Sequence, residues 1–207
     1  MADILLVHGL WNRGWMMASM AKRLRERGHH VRVFSYPTRA ADLDGHADAL
    51  RQFILEESTD ELQLIGHSMG GLVILNMLSR YDDLPPGRIV LMGTPVKGSH
   101  VVKNLEKLPG HKILFGKSRE NLLQGFEFSP RARETGMIRG TRAFGLGQIA
   151  GAKNEPNDGT VKLSETEMEG LADKIDLEVS HSEMLISSVV VEQAEQFLLH
   201  GRFKKKY

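Results

Sequence analysis

The chain has 207 residues, 41% apolar and 26% charged, enough for one globular domain burying roughly 70% of its unfolded surface. Lys and Arg number 27 against 26 Asp and Glu, a net charge of +1, so no strong field is available for nucleic acid or an anionic membrane. The absence of cysteine excludes disulfides, thiolate nucleophiles and thiolate metal sites. No apolar stretch approaches the roughly 20 residues of a membrane span. Met1-Ala2-Asp3 passes directly into Ile4-Leu5-Leu6-Val7, too short a run for a secretion signal, and a cytoplasmic location is the expectation. The basic end Arg202-Phe203-Lys204-Lys205-Lys206 reads as a solvated, frayed terminus, with a weak membrane or partner contact as the alternative.

Short β-rich runs alternate with helical segments along the chain, the pattern of an α/β fold. Such a fold has a mostly parallel sheet of about six strands with helices on both faces. Residues 3–7 form a continuous apolar strand suited to a sheet buried on both sides. A helix follows with Met16, Met17, Met20, Ala21 and Leu24 on one face, and Gly28 stands where a helix-ending glycine belongs. Residues 31–34 are the second strand, ended by Pro37. The next helix presents Leu43, Ala47, Leu50, Phe53 and Ile54. Residues 61–65 are the third strand, and Gly66-His67-Ser68-Met69-Gly70-Gly71 follows at once. Residues 72–78 read as a helix apolar nearly all round, hence buried. A loop at 81–87 leads to the fourth strand, 88–92, ended by Gly93-Thr94-Pro95. From residue 96 to 136 the pattern loosens into a cap-like excursion within the single domain. A weak, glycine-rich fifth strand is expected within 142–149 and a sixth at 174–179. The last helix, capped by Ser187 or Ser188, runs to Leu199 before Gly201.

Gly66-His67-Ser68-Met69-Gly70 fits G-x-S-x-G, in which a strand turns sharply into a helix and projects the serine from the sheet edge. A chance match in a glycine-rich loop is the alternative. The buried strand before it and the apolar helix after it set that reading aside. No Gly-Lys-[Ser/Thr] follows, which disfavours a phosphate loop. A serine attacking a carbonyl needs two backbone N–H groups aimed at the resulting oxyanion. Met69, directly after the serine, would supply one. Leu10, in the loop Val7-His8-Gly9-Leu10-Trp11 at the end of the first strand, would supply the other. His8 reads as a residue that holds this loop by a hydrogen bond. Trp11 and Trp15 would line a pocket or pack on the first helix.

Among nine histidines, His181 follows the last predicted strand and so shares the carboxyl edge of the sheet with Ser68; it is the candidate base, with His100 a weaker one. Asp158, in Asn157-Asp158-Gly159-Thr160-Val161, is the candidate acid that orients it. A plain turn role is the other reading of Asp158. Asp173 and Asp176 are alternatives that face the wrong edge, and Glu155 is a more distant one.

With Ser68, Asp158 and His181 in that order, the chain resembles the α/β-hydrolase superfamily, in particular its small bacterial-type lipase/esterase branch. Three segments carry the resemblance: His8-Gly9-Leu10, Gly66 to Gly71, and Asn157 to Val161 followed by Ser180-His181. In such lipases a His-Gly-hydrophobic segment supplies an oxyanion N–H, matching Leu10, and an Asn-Asp-Gly-x-Val segment carries the acid, matching Asp158. The resemblance implies a serine carboxylesterase acting on a small-molecule ester of short to medium acyl chain. It departs from larger members in lacking two leading antiparallel strands and in the shortness of the 96–136 excursion, which argues against interfacial activation on long-chain fat. No cofactor and no metal is expected, and oligomeric state is left open. A thioesterase or acyltransferase using the same triad, and a non-catalytic binding protein on this fold, are the alternatives.

Overall fold

The computed structural model describes residues 1–107, 115–125, 133–144 and 155–205. Six strands, β1 (Asp3–Val7), β2 (His30–Phe34), β3 (Gln63–His67), β4 (Ile89–Met92), β5 (Thr135–Gly140) and β6 (Asp173–Leu177), pair in parallel in the order β2-β1-β3-β4-β5-β6. The described α-helices are α1 (Ala18–Glu26), α2 (Leu43–Leu55), α3 (Met69–Arg80), α4 (His100–Leu105), α5 (Arg119–Gln124) and α6 (Ser188–His200). None is long and apolar enough to cross a membrane.

Strand side chains alternate between two faces, and the core divides accordingly. Leu5, Val7, Leu64, Ile89 and Leu91 pack in one layer with Leu50 and Ile54 of α2 and Leu72 and Val73 of α3. Ile4, Leu6, Ile65, Val90 and Met92 pack in the other with Met20 and Leu24 of α1 and Val190, Ala194 and Phe197 of α6. Because both faces are covered at the centre of the sheet, Ile4–Val7 of β1 and Ile89–Met92 of β4 read in sequence as unbroken apolar runs. The ends of the helices are set locally. Asp42 caps α2 by accepting the Gly45 N–H (2.9 Å). Ser187 caps α6, and Gly201, left-handed at φ 71, ends it.

From β1 the chain moves outward to β2 and then returns across β1 to β3, so the order reverses between β1 and β3. In open parallel sheets the crevice outside the carboxyl ends of the strands at such a point is where ligands bind. Val7 lies opposite Gly66, and Gly66 opposite Leu91, so the loops leaving β1, β3 and β4 emerge together at that edge.

Two expectations are corrected. The fifth strand of the described sheet is Thr135–Gly140, which takes the last residues of the 96–136 excursion into the sheet; residues 142–144 are not in a strand, and 145–149 lie outside the described residues. Its glycines serve packing rather than breaking the strand. A Cβ on Gly136 would fall 2.7 Å from the Phe197 ring and 2.8 Å from Phe203. The basic end is docked through Lys205 rather than frayed. Phe203 is buried against Phe197, its N–H donates to Asp173 Oδ2 (2.9 Å), and Lys204 exchanges two backbone–side-chain hydrogen bonds with Gln193.

Candidate active site

β3 runs directly into Ser68, whose backbone adopts φ 55, ψ −126. Among the described residues only Ser68 and Trp11 hold a positive φ without being glycine, a conformation that costs roughly 1–3 kcal/mol and persists only where its surroundings enforce it. The enforcement here is tight. The Ser68 N–H donates to the Met92 carbonyl (2.8 Å), continuing the β3–β4 ladder into the turn, and every residue from Met69 to Met77 of α3 is buried. Space for the turn comes from small neighbours. A Cβ on Gly9 would meet the Ser68 Cβ at 2.8 Å, and one on Gly70 would strike the Val7 carbonyl. Ser68 stands at the N-terminal end of α3, where first-turn amides lack intrahelical acceptors and the helix field favours negative charge. Met69 is the first residue of that turn.

His181 lies four residues beyond the end of β6, and its Nδ1–H donates to Asp158 Oδ2 at 2.7 Å. Asp158 sits at the end of β5 in space although 18 residues on in sequence: a Cβ on Gly140 would be 2.7 Å from the Asp158 Cβ. Its other oxygen, Oδ1, accepts the N–H groups of Thr160 (2.9 Å) and Val161 (2.7 Å). The His181 N–H donates to the Asp158 carbonyl (2.8 Å). Both residues are buried. Gly93, at the end of β4 with φ 53, faces the pair; a Cβ there would lie 2.9 Å from Asp158 Oδ2 and 3.0 Å from His181 Nδ1.

The loop of His181 is tied to the serine turn by His67, the last residue of β3. Its Nε2–H donates to the His181 carbonyl (3.0 Å), and the two rings lie 4.5 Å apart. A carbonyl only accepts, so this bond fixes the His67 tautomer. Burial, and then the neighbouring His181, hold the His67 imidazole well below its usual value.

At the end of β1, Asn12 N–H donates to the Gly9 carbonyl (3.2 Å), closing a four-residue turn with Leu10 and the left-handed Trp11 at its centre. His8 buttresses the turn: its Nδ1–H donates to the Gly9 carbonyl (3.0 Å) and its Nε2 accepts the Tyr36 N–H (3.3 Å). The Tyr36 hydroxyl donates to the His8 carbonyl (2.9 Å). Burial depresses the His8 imidazole and raises the Tyr36 phenol, so both stay neutral.

The structure thus brings Ser68, Met69, Leu10, Asp158 and His181 to one edge of the sheet, and links Asp158 with His181 directly. The alternatives are engaged with other partners. Asp176 pairs with Arg139 and Asp173 with the chain end. Glu155 pairs with Lys162. His100 pairs with Glu165 instead of Asp158, its Nδ1 3.0 Å from both carboxylate oxygens, and that contact joins the start of α4 to the loop carrying Asp158. The parts sequence reading missed are Gly93, His67 as a tie to His181, and Glu165. Each acts through a partner distant in sequence, and only the glycine after β4 carried any local sign.

A stretch of 89 residues is 35% identical to the carbendazim hydrolyzing esterase of Nocardioides sp. (strain SG-4G). That match covers 39% of this chain and 37% of the relative, so the chain spans little more than a third of that protein. The mature Bacillus licheniformis lipase BlEst2 superposes with a TM-score of 0.76 at 17% identity, over 97% of this chain and 91% of that one. A pyrethroid hydrolase from Sphingobium faniae JZ-2 superposes with a TM-score of 0.63 at 15% identity, over 96% and 98%. At such identities the likeness is one of fold. The family model described as the alpha/beta hydrolase family matches residues 4–163, from β1 past Asp158, and the chain belongs to that family.

Proposed function

We propose that the protein hydrolyses carboxylic esters of short to medium acyl chain through an acyl-enzyme on Ser68. Ser68 Oγ attacks the carbonyl carbon while His181 Nε2 takes its proton. The tetrahedral oxyanion accepts hydrogen bonds from the Leu10 and Met69 N–H groups. It collapses with cleavage of the bond to the alcohol, which leaves with the proton from His181. Water then attacks the acyl-enzyme, gives a proton to His181, and the acid departs as the proton returns to Ser68 Oγ. Asp158 keeps the Nδ1 proton in place throughout, which leaves Nε2 as the acceptor, and stabilises the imidazolium that forms transiently.

One observation carries the reading: the 2.7 Å hydrogen bond between Asp158 and His181, groups joined by no local element, at the sheet edge where a strained serine opens a buried helix. The esterase and lipase names of the similar proteins agree with it. The test is hydrolysis of p-nitrophenyl butyrate by the wild type and by Ser68→Ala, together with labelling by a fluorophosphonate. Turnover by the wild type, a loss of about 10³-fold or more in the variant, and a label on Ser68 are expected. A wild type that neither turns over the ester nor takes the label overturns the proposal.

A further inference from the structure

A groove of about 1010 Å³ opens beside the Gly9–Asn12 turn, lined by Trp11, Asn12 and Arg13 on one side and residues 35–40 with Gly116 on the other. It lies at the carboxyl ends of β1 and β2, next to the β1/β3 crossing point. The turn connects it to the reacting centre: Gly9 abuts the Ser68 Cβ, and Trp11 stands two residues further on. A butyryl group would fill only a small part of this volume, which matches a drug-sized ligand.

The lining has a definite chemistry. Trp11 is 43% exposed and lines the groove, and its ring lies 5.6 Å from that of Phe115. Pro37 adds a second apolar surface. Arg13 brings permanent positive charge, and the described lining contains no Asp or Glu. Arg13 has no carboxylate partner among the described residues. The two walls are also joined. The Trp11 N–H donates to Thr38 Oγ1 (3.3 Å) and the Gly14 N–H to Ser35 Oγ (3.1 Å). Gly116 packs directly on the Arg39 backbone. The groove is therefore built on the same hydrogen-bonded turn that carries the Leu10 N–H.

We propose that this groove is a subsite for a planar ring or extended chain ending in an anionic group, carried by the ester that reacts at Ser68. The proposal rests on the esterase reading and adds a substrate class to it: aryl or alkyl esters bearing a carboxylate. Indole and proline surfaces take the apolar body, and the Arg13 guanidinium takes the carboxylate in a charge-assisted hydrogen bond.

Two matched substrate pairs test it. Mono-p-nitrophenyl glutarate against p-nitrophenyl valerate puts the charge on the acyl side with a common leaving group. 4-(Butyryloxy)benzoate against its methyl ester puts it on the alcohol side. For each pair the quantity read is the ratio of kcat/KM, anionic over neutral, in the wild type, Arg13→Gln and Arg13→Glu. The expected result is that in one pair the ratio falls about tenfold in Arg13→Gln and further in Arg13→Glu. In the wild type the same ratio should shrink as salt is raised from 0.05 to about 0.5 M. The responding pair identifies the side of the ester that occupies the groove. Turnover of the neutral esters with ratios that neither replacement changes overturns the subsite and leaves the esterase reading standing. Absence of wild-type turnover on all four esters overturns both.

Discussion

Asp158→Asn changes one oxygen to an amide nitrogen and should nearly silence the enzyme, for a reason visible in how the carboxylate divides its bonds. Oδ1 accepts two backbone N–H groups, from Thr160 at 2.9 Å and Val161 at 2.7 Å, while Oδ2 accepts the His181 Nδ1–H at 2.7 Å. An asparagine must leave its oxygen on the two amides, because the reverse orientation would aim an NH₂ at two N–H donors and abandon both bonds. Its nitrogen then faces His181 Nδ1. That atom has to become an acceptor, and the imidazole proton moves to Nε2, where it faces the serine and blocks proton abstraction. Wrong-tautomer replacement in a serine triad costs about 10⁴-fold in kcat, close to 5.5 kcal/mol at 1.36 kcal/mol per tenfold. Because the number of hydrogen bonds is preserved, stability should change by less than about 1.5 kcal/mol. The assay is kcat on p-nitrophenyl butyrate beside a urea melt of the same preparation. A folded Asp158→Asn protein that keeps more than a tenth of wild-type kcat would refute the assignment of Asp158 as the orienting acid.

Other perturbations follow from the same geometry. Gly93→Ala places a methyl group 2.9 Å from Asp158 Oδ2 and 3.0 Å from His181 Nδ1 at a φ of 53. It should lower kcat at least 100-fold and stability by about 1–2 kcal/mol; a kcat within threefold of wild type would argue against close packing on the pair. Ser68→Gly should remove the proposed activity but also the left-handed strain at φ 55, so the urea midpoint should rise, by about 1 kcal/mol in stability; a fall would contradict enforced strain at the elbow. His67, His8 and His46 are each held below their ordinary value, first of all by burial. They stay neutral in the fold while the unfolded chain takes up protons near pH 6.5, so stability complete at pH 7.5 is lost as pH falls through about 6.5. The slope should reach about 1.4 kcal/mol per pH unit for His67 alone. Urea melts at pH 7.5 and 5.5 check this, and equal midpoints would refute it.

The sequence was legible where chemistry and topology coincide. A parallel sheet puts strand ends at one edge, so a G-x-S-x-G after one strand and a histidine after the last could be set at the same edge without coordinates. Asp158 stands out by its order and its Asn-Asp-Gly setting, and it lies against His181, although the strand it follows in space is Thr135–Gly140. That strand is hard to read locally for a physical reason. β5 contributes only Met137 and Ile138 as buried apolar side chains, and its Gly136 is required by Phe197 and Phe203, about 60 residues later in the chain. Local propensity carries no record of such a demand. The same holds for His67, whose carbonyl partner is 114 residues away, and for Phe203, whose burial makes a basic tail part of the core.

The two strained turns also bear on how the site is held. Trp11 and Ser68, the two non-glycine residues with positive φ among the described residues, sit after β1 and β3, the strands on either side of the crossing point. Both of those strands are buried, with core residues Leu5 to Val7 and Leu64 to Ile65 almost without exposure. Neither turn can relax without pulling a central strand out of register. Gly9 and Gly70 close the gap between them: one touches the serine and the other the end of β1. Strain in the Gly9–Asn12 turn and at the elbow is thus opposed by the same sheet. The amides of Leu10 and Met69, one in each turn, are held relative to each other by β1 and β3 rather than by contacts of their own. In the proposed mechanism, preorganised donors of this kind would stabilise the developing oxyanion without reorganising during the reaction. On this argument the precision of the site comes from the central strands, and a substitution at Leu6 or Ile65 that shifts either one should be felt first at the catalytic edge.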